Sequence, residues 1–200
     1  MDDDRAQRLA AAETAATRIL SLAPNHAFAH FVLGYVQIFT NRVTQGIAAA
    51  ERALALDRNL ANAHALIGSG KTFTGRAEET EAHVQEALRL SPRDSKAYEW
   101  MATLAATKLN LGAYAESAQW ARRAIEANRN LPLAHFWLAA ALAQLGRLDE
   151  ARQAIQPGLA LAPVFTIARY RAGVQSDHPT YLAQRERIIE GMRKAGVPEG

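Results

Sequence analysis

The chain has 200 residues, of which 49% are hydrophobic and weighted to Ala and Leu, with no cysteine and a formal net charge of +3. The missing cysteines exclude disulfides and thiolate metal sites, and the small net charge does not indicate binding to nucleic acid or to an anionic membrane. The longest apolar run, Leu131–Gly146, is too short to span a bilayer, and the acidic N-terminus is not a secretory signal, so we expect a cytoplasmic protein.

Residues 1–26 predict a single helix. Its second half, "ATRILSLAPN" ending at Asn25, is the first of five copies of one motif, such as "AERALALDRN" ending at Asn59 and "VQEALRLSPR" ending at Arg93. Asp2–Asp4 would interact favourably with the N-terminus of this helix. We interpret residues 1–26 as the second helix of an incomplete leading repeat and expect the chain to be part of a longer protein.

Four further segments repeat along the chain, and each is followed by a copy of the motif above. They read "AFAHFVLG", "ANAHALIG", "SKAYEWMA" and "PLAHFWLA", and they begin at Ala27, Ala61, Ser95 and Pro132. The two halves of each unit are separated by residues that tolerate the left-handed conformation ending a helix, namely Asn41, Gly75, Gly112 and Gly146. Each unit therefore predicts a helix–turn–helix.

This pattern resembles the tetratricopeptide repeat, and the resemblance covers about residues 5–175. It implies an all-α, right-handed superhelical solenoid with a C-terminal capping helix. The implied boundaries are 1–26 for the incomplete leading repeat, 27–60, 61–94, 95–131 and 132–165 for four repeats, and 166–200 for a partial repeat and the capping helix. Small residues are expected where the two helices of a repeat approach closely, at Gly34, Gly68, Ala102 and Ala139.

Two departures from the regular pattern carry structural expectations. The third repeat has three extra residues before Gly112, which predicts a longer first helix or a longer turn. Pro157 and Gly158 lie inside the second helix of the fourth repeat. Since both disfavour helix interiors, we expect a kink or break there.

The tail, "SDHPTYLAQRERIIEGMRKAGVPEG", predicts a terminal helix with Leu182, Ile189 and Met192 on one face, suited to sealing the exposed end of a solenoid. Its sequence resembles the C-terminal region of bacterial signalling proteins in which a tetratricopeptide array is joined to a class III cyclase or a winged-helix domain. The catalytic cyclase residues are missing, so the resemblance implies a regulatory part of a larger bacterial signalling protein.

Two features suggest chemistry but favour a structural interpretation. "GSGKT" at Gly68–Thr72 lacks the first glycine of a phosphate-binding loop, because Ala65 stands there, and it repeats the helix at Ala27. His30, His64 and His135 share one repeat position with Tyr98, which indicates packing residues rather than metal ligands. We predict no catalytic residue, no metal and no cofactor, and therefore not an enzyme. A nucleotide-binding enzyme built on GSGKT remains the less favoured alternative.

The resemblance implies that first helices line a concave groove, where exposed aromatic residues typically mark a binding surface. The groove positions carried over from the family give the following predicted partner-binding residues: Phe28, Phe31, Tyr35, Phe39, Asn62, Ser69, Thr72, Phe73, Lys96, Glu99 and Phe136. Asn62 and Lys96 alone do not make a carboxylate clamp, so an extended or helical apolar peptide is expected. The alternative is self-association as a homodimer; neither nucleic acid nor a membrane is expected as a partner.

Overall fold

The structure, a computed structural model, describes residues 2–200, with side chains from Asp4 onward. This part of the chain contains eleven α-helices, named α1 to α11 in order, and it divides into two compact units, unit 1 up to Pro92 and unit 2 from Arg93. The helices are Asp2–Leu22, Ala27–Phe39, Val43–Leu56, Ala61–Phe73, Thr80–Leu90, Ala97–Asn110, Tyr114–Ala127, Pro132–Gln144, Leu148–Leu161, Ile167–Ala172 and Pro179–Ala195. The predicted all-α class is confirmed.

The predicted turns within the repeats are confirmed by the backbone. Asn41 has φ of 62°, and Gly75, Gly112 and Gly146 have φ between 75° and 80°. A left-handed conformation costs about 1–2 kcal/mol for a residue with a Cβ atom, which explains why Gly or Asn stands at each of these positions. Four helical hairpins follow: α2–α3, α4–α5, α6–α7 and α8–α9.

The first three hairpins close where a small residue of the second helix meets the first helix twelve positions earlier. A Cβ atom on Gly34 would lie 2.7 Å from the carbonyl oxygen of Gly46. Thr80 donates a hydrogen bond of 2.8 Å to the carbonyl of Gly68, and Ser117 donates one of 2.7 Å to the carbonyl of Ala105. Because these contacts involve the backbone, larger side chains would force the helices apart.

The predicted alignment of the third repeat with the other repeats is wrong by three residues. Ala105, rather than Ala102, occupies the position of Gly34 and Gly68, because Ser117 bonds to it from twelve residues later. Met101, rather than Tyr98, therefore occupies the repeat position of the histidines. The turn after α6 is not lengthened. Instead, six residues connect α5 to α6, whereas four connect α3 to α4 and α7 to α8. The extra residues therefore lie mainly before α6, where a loop absorbs them without disturbing a helix.

The predicted break at Pro157 does not occur, because α9 runs uninterrupted from Leu148 to Leu161. Pro157 is exposed, and Gly158 lies against α8, where a Cβ atom would come within 3.1 Å of the side chains of His135 and Phe136. The glycine therefore allows α8 and α9 to approach closely. Tertiary packing outweighs the low helix propensity of this dipeptide.

The helix α1 packs on α2 through a narrow face centred on Ala16, which is buried. Glu13 accepts two hydrogen bonds from the Arg42 guanidinium, at 2.7 and 2.9 Å, which fixes α1 to the turn between α2 and α3. The Arg42 guanidinium holds the pKa of Glu13 below its ordinary value. Asp4 pairs with Arg8, and the predicted helix-terminal role of the Asp2 and Asp3 side chains lies outside the described residues.

The histidines hold the connections between repeats. His26 accepts a hydrogen bond from the Ala29 amide and so caps α2, and the ring of His30 bonds the Pro24 carbonyl at 2.8 Å. His135 bonds the Arg129 carbonyl at 3.0 Å in the same way. For His30 and His135, the structural interpretation is confirmed.

Candidate peptide-binding surface

Five aromatic rings of unit 1 form one continuous surface, here called the aromatic strip: Phe28, Phe31, Tyr35, Phe39 and Phe73. The first four lie three or four residues apart on α2 and therefore share a helix face. Successive ring centroids along α2 are 5.4, 6.5 and 4.7 Å apart, and Phe73 of α4 joins Phe39 edge-on at 6.2 Å. The five aromatic residues that the sequence predicts for the groove therefore lie together in the structure.

The strip combines anchored rings with open ones. Phe31, Phe39 and Phe73 are half-buried and pack on the core formed around Ile38, Ile47, Leu66 and Ile67. Phe28 and Tyr35 remain 54% and 42% exposed. Exposed aromatic rings fixed on rigid helices are suited to partner binding, because little side-chain entropy remains to be lost.

Gly70 supports this core by its small size. A Cβ atom there would lie 2.6 Å from Cγ1 of Ile47 and 3.2 Å from Cδ1 of Ile38. The glycine is required because Ile38 and Ile47 fill the space beside it, and the floor under the strip is closely packed.

A cationic side chain stands at one end of the strip. The guanidinium of Arg5 lies over the ring of Phe39, 5.9 Å from its centroid. Beside it, a groove of about 330 Å³ runs between α1 and α2, and its lining includes Leu9, Glu13 and Val36. The strip thus ends in a partly polar groove whose Glu13 is already paired with Arg42.

The remaining predicted residues of unit 1 lie on α4. Asn62 and Ser69 are half-buried, and the Ser69 hydroxyl bonds back to the Ala65 carbonyl at 3.2 Å. Thr72 is only 4% exposed, and its hydroxyl lies 2.8 Å from that of Thr80 on α5. Thr72 therefore faces the partner helix of the hairpin, and its assignment to the groove is wrong.

GSGKT is the interior of a helix, as predicted, because α4 runs from Ala61 to Phe73. A phosphate-binding loop instead requires free backbone N–H groups in a loop that precedes a helix. The buried Lys71 side chain is engaged by Glu79, with 3.5 Å between Nζ and Oε2. Among the side chains that the structure describes, no group of three His, Asp or Glu residues could hold a metal ion.

The predicted residues of unit 2 are placed differently. Lys96 and Glu99 are exposed and form an ion pair at 2.9 Å, and Glu99 also accepts a hydrogen bond from Tyr98. Phe136 is fully buried and stacks on Phe165, with centroids 3.9 Å apart. Its assignment to an open binding surface is wrong, because the C-terminal segment of the chain covers it.

The helix α11 covers the face of unit 2 that corresponds to the strip. The left-handed turn residues align the repeats. Tyr35, Phe39, Ser69 and Phe73 of unit 1 correspond to Ala106, Asn110, Ala140 and Gln144 of unit 2, which lie six or two residues before these turns. At Ala140, a Cβ atom on Gly191 of α11 would lie 2.6 Å from the carbonyl oxygen, so the two helices are in backbone contact. The buried residues of α11 that share the core with α8 are Ile188, Ile189, Met192 and Ala195.

Polar contacts fix α11 on this face. The Gln144 amide donates to the Arg187 carbonyl at 2.8 Å and accepts from Lys194 at 3.0 Å, so both ends of the amide are used. Arg187 in turn donates to the Asn110 carbonyl. The predicted capping helix therefore exists, and it packs mainly on α8 and also contacts α6 and α9. Its position on the first helices was not predicted from the sequence.

A partly buried histidine pair lies between α4 and α5. The rings of His64 and His83 are 6.0 Å apart, and Nδ1 of His64 is buried without a hydrogen-bond partner. Burial, with the neighbouring His64 and the Lys71 ammonium, lowers the pKa of His83 below its ordinary value of 6.5, and Glu79 and Glu51 oppose this in part. The folded chain therefore favours neutral His83.

This arrangement predicts that the free energy of unfolding decreases as the pH falls below about 6.5. Unfolded His83 binds a proton more readily than folded His83, so its contribution is fully present above about 6.5 and is lost as the pH falls through the lowered pKa. Urea unfolding followed by far-UV circular dichroism at about pH 8 and about pH 5.5, where carboxylates stay ionised, measures it. We expect a smaller decrease in His83→Gln; an equal decrease in both proteins would contradict the prediction.

Between Asp2 and Gly200, no helix has the length and apolar character needed to cross a membrane.

A family model described as tetratricopeptide repeat matches residues 120–153, and a comparison with curated proteins found no match. YrrB, a TPR protein with an unusual peptide-binding site, is 24% identical over 90% of each chain, with a TM-score of 0.61. PilW, a type IV pilus biogenesis factor, is 17% identical over 96% of this chain and 86% of its own, with a TM-score of 0.73. MamA is 19% identical over 86% and 95%, with a TM-score of 0.63. These likenesses confirm the predicted tetratricopeptide-type solenoid fold.

Proposed function

We propose that this chain is a non-catalytic interaction module that binds a peptide or protein partner on the aromatic strip of unit 1. The observation that carries the proposal is the continuity of five rings, two of which, Phe28 and Tyr35, are about half exposed on a rigid helix. Clustered exposed aromatic side chains are typical of binding surfaces and supply most of the affinity where they are found.

Two further observations support this choice of surface. The corresponding face of unit 2 is covered by α11, so the strip is the open counterpart of a surface that already binds a helix. YrrB, which has a similar fold, has a peptide-binding site. The Lys71 and Thr72 side chains of GSGKT are engaged within the hairpin, which disfavours the nucleotide-binding alternative.

Peptides selected from a random 16-residue phage library on the full chain provide the test. We expect Phe28→Ser combined with Tyr35→Ser to weaken their binding by about tenfold to a hundredfold, because each ring is a buried anchor in the complex. Affinity is measured by fluorescence anisotropy with the synthesised peptides. Both rings are exposed in the free chain, so the variant should keep its far-UV circular dichroism spectrum.

The matched control is Val164→Ser, which removes an exposed apolar side chain from unit 2 and should leave the affinity unchanged. Selected peptides that bind the double variant as tightly as the native chain would contradict the proposal, as would a library that yields no binder.

Self-association is the second candidate. It is favoured by α1, on which Leu22 is 81% exposed and Ile19 is 40% exposed, whereas Ala53, the residue of α3 equivalent to Ile19, is fully buried. Light scattering on the peptide-free chain distinguishes the two candidates. A mass that stays at 21.8 kDa over a wide concentration range excludes a homodimer, and a concentration-dependent mass supports it.

We also propose a regulatory role within a larger bacterial signalling protein in the cytoplasm, with neither nucleic acid nor membrane as partner. The sequence of the C-terminal tail supports the signalling role, and the absence of cysteine is compatible with the cytoplasm. The gene sequence upstream of this chain tests the proposal. A cyclase or winged-helix domain there would support it, and a secretory signal would contradict it.

A further inference from the structure

We infer that the partner of the aromatic strip is an amphipathic α-helix of about three turns with a carboxylate that reaches Arg5. This inference rests on the proposed function and specifies the class of its partner. Three observations support it. The equivalent repeat positions of unit 2 bind the helix α11, the backbone hydrogen-bonding groups of α2 and α4 are already paired within those helices, and a cationic side chain, Arg5, lies at the end of the strip.

Unit 2 shows what the equivalent face binds. Ala140 and Gln144 occupy the positions of Ser69 and Phe73, and a helix, α11, lies against them with Gly191 in backbone contact. Two neighbouring first helices thus form a surface that a third helix fits. In unit 1, aromatic rings stand at three of the four equivalent positions, at Tyr35, Phe39 and Phe73. These rings protrude further from the helices than Ala does, so a partner helix there contacts them through its side chains rather than through its backbone.

The main chain of the strip favours a helical partner over an extended one. The strip lies on α2 and α4, whose backbone N–H and C=O groups are paired within the helices. The Ser69 hydroxyl is also bonded to its own helix. An extended peptide would bury its own amide groups against rings without a ladder of backbone partners, whereas a helix satisfies them internally.

Length and charge define the partner further. From Phe28 to Phe39 the strip rises about 16 Å, which is three turns of a helix. The Arg5 guanidinium lies over Phe39 at the end of this path, so a carboxylate on the partner would meet a cation there. Such a partner carries medium-sized apolar residues at i, i+3, i+4 and i+7 and an acidic residue at one end.

The test uses the peptides selected from the 16-residue library, in three forms and with the full chain. A hydrocarbon staple across a solvent-facing pair fixes the helix, and Pro at a solvent-facing central position prevents it. Ala at the same position is the matched control. We expect the stapled form to bind as tightly as the parent or tighter, the Ala form to bind like the parent, and the Pro form to bind at least tenfold more weakly.

The outcomes separate the two proposals. A Pro form that keeps its affinity, or a staple that abolishes binding, overturns the helical partner but leaves the strip as a binding surface. A library without any binder overturns the proposed function itself. For the charge, Arg5→Glu should weaken the stapled peptide at least threefold, and Arg8→Glu, an exposed control on the same helix, should not. Equal affinities of these two variants overturn the carboxylate assignment.

Discussion

Replacing Gly46 by Ala is expected to destabilise unit 1 by about 2 kcal/mol, although alanine is the better helix former by about 1 kcal/mol. A Cβ atom at this position would lie 2.6 Å from the carbonyl oxygen of Gly34 and 2.8 Å from the amide nitrogen of Ile38. Both are backbone atoms of α2, so no rotamer change relieves the overlap. The helices α2 and α3 must separate, which loosens the packing of Ile38 against Ile47 and Gly70.

Urea unfolding measures this effect with two signals. Far-UV circular dichroism reports on the whole chain, and Trp fluorescence reports on unit 2, because Trp100, Trp120 and Trp137 are the three tryptophans. We expect a dichroism transition at lower urea and a Trp transition that stays closer to the native midpoint. Ala48→Gly, at an exposed position of the same helix, is the control for helix propensity. If Gly46→Ala were as stable as the native chain, the close contact of α2 and α3 would be disproved.

Replacing Gly191 by Leu is expected to destabilise unit 2 by about 3 kcal/mol, equivalent to roughly 10 °C or more in Tm. Even a Cβ atom would lie 2.6 Å from the Ala140 carbonyl oxygen and 2.9 Å from the Ala140 side chain. A leucine therefore lifts α11 from α8. The lift exposes Ile189 and Met192, which are fully buried in the native chain.

Thermal unfolding followed by Trp fluorescence measures this change directly in unit 2. Gly173→Leu is the matched control, since a Cβ atom at that exposed position meets only carbonyl oxygens at ordinary contact distances of 3.6 and 3.7 Å. We expect its Tm to stay within a few degrees of the native value, as surface substitutions usually do. A Gly191→Leu chain that melts with the control would show that α11 does not seal unit 2.

Local signals account for the parts of the fold that could be predicted from the sequence. Asn41, Gly75 and Gly112 mark turns because only such residues adopt a left-handed backbone at low cost, and this requirement acts within a few residues. The register of the third hairpin is different. The residues around Tyr98 match the repeat pattern in two alignments three residues apart. The contact between Ser117 and Ala105 selects the one in which Ala105 lies seven residues before Gly112, as Gly34 lies before Asn41.

The same distinction explains the candidate site. The strip from Phe28 to Phe39 follows from helix periodicity along one segment, and so it could be predicted. The burial of Phe136 could not, because it depends on Phe165 and α11, which come later in the chain. A signal for this cover was present in the sequence: Ala106 and Ala140 are small where unit 1 has Tyr35 and Ser69, and Gly191 of α11 is small as well. Small residues indicate close helix packing only once their partner is known.

The placement of α11 also determines whether a free helix can bind to the face of unit 2. Residues 162–178, which include α10, connect α11 to α9, and α9 packs on α8. The helix α11 therefore meets α8 as an intramolecular ligand, at an effective concentration that for short linkers is of the order of millimolar. A free helix at micromolar concentration would have to bind that face about a thousandfold more tightly to displace it. The face of unit 2 is thus permanently occupied by α11. The occupancy of the aromatic strip of unit 1 depends instead on the concentration of a partner.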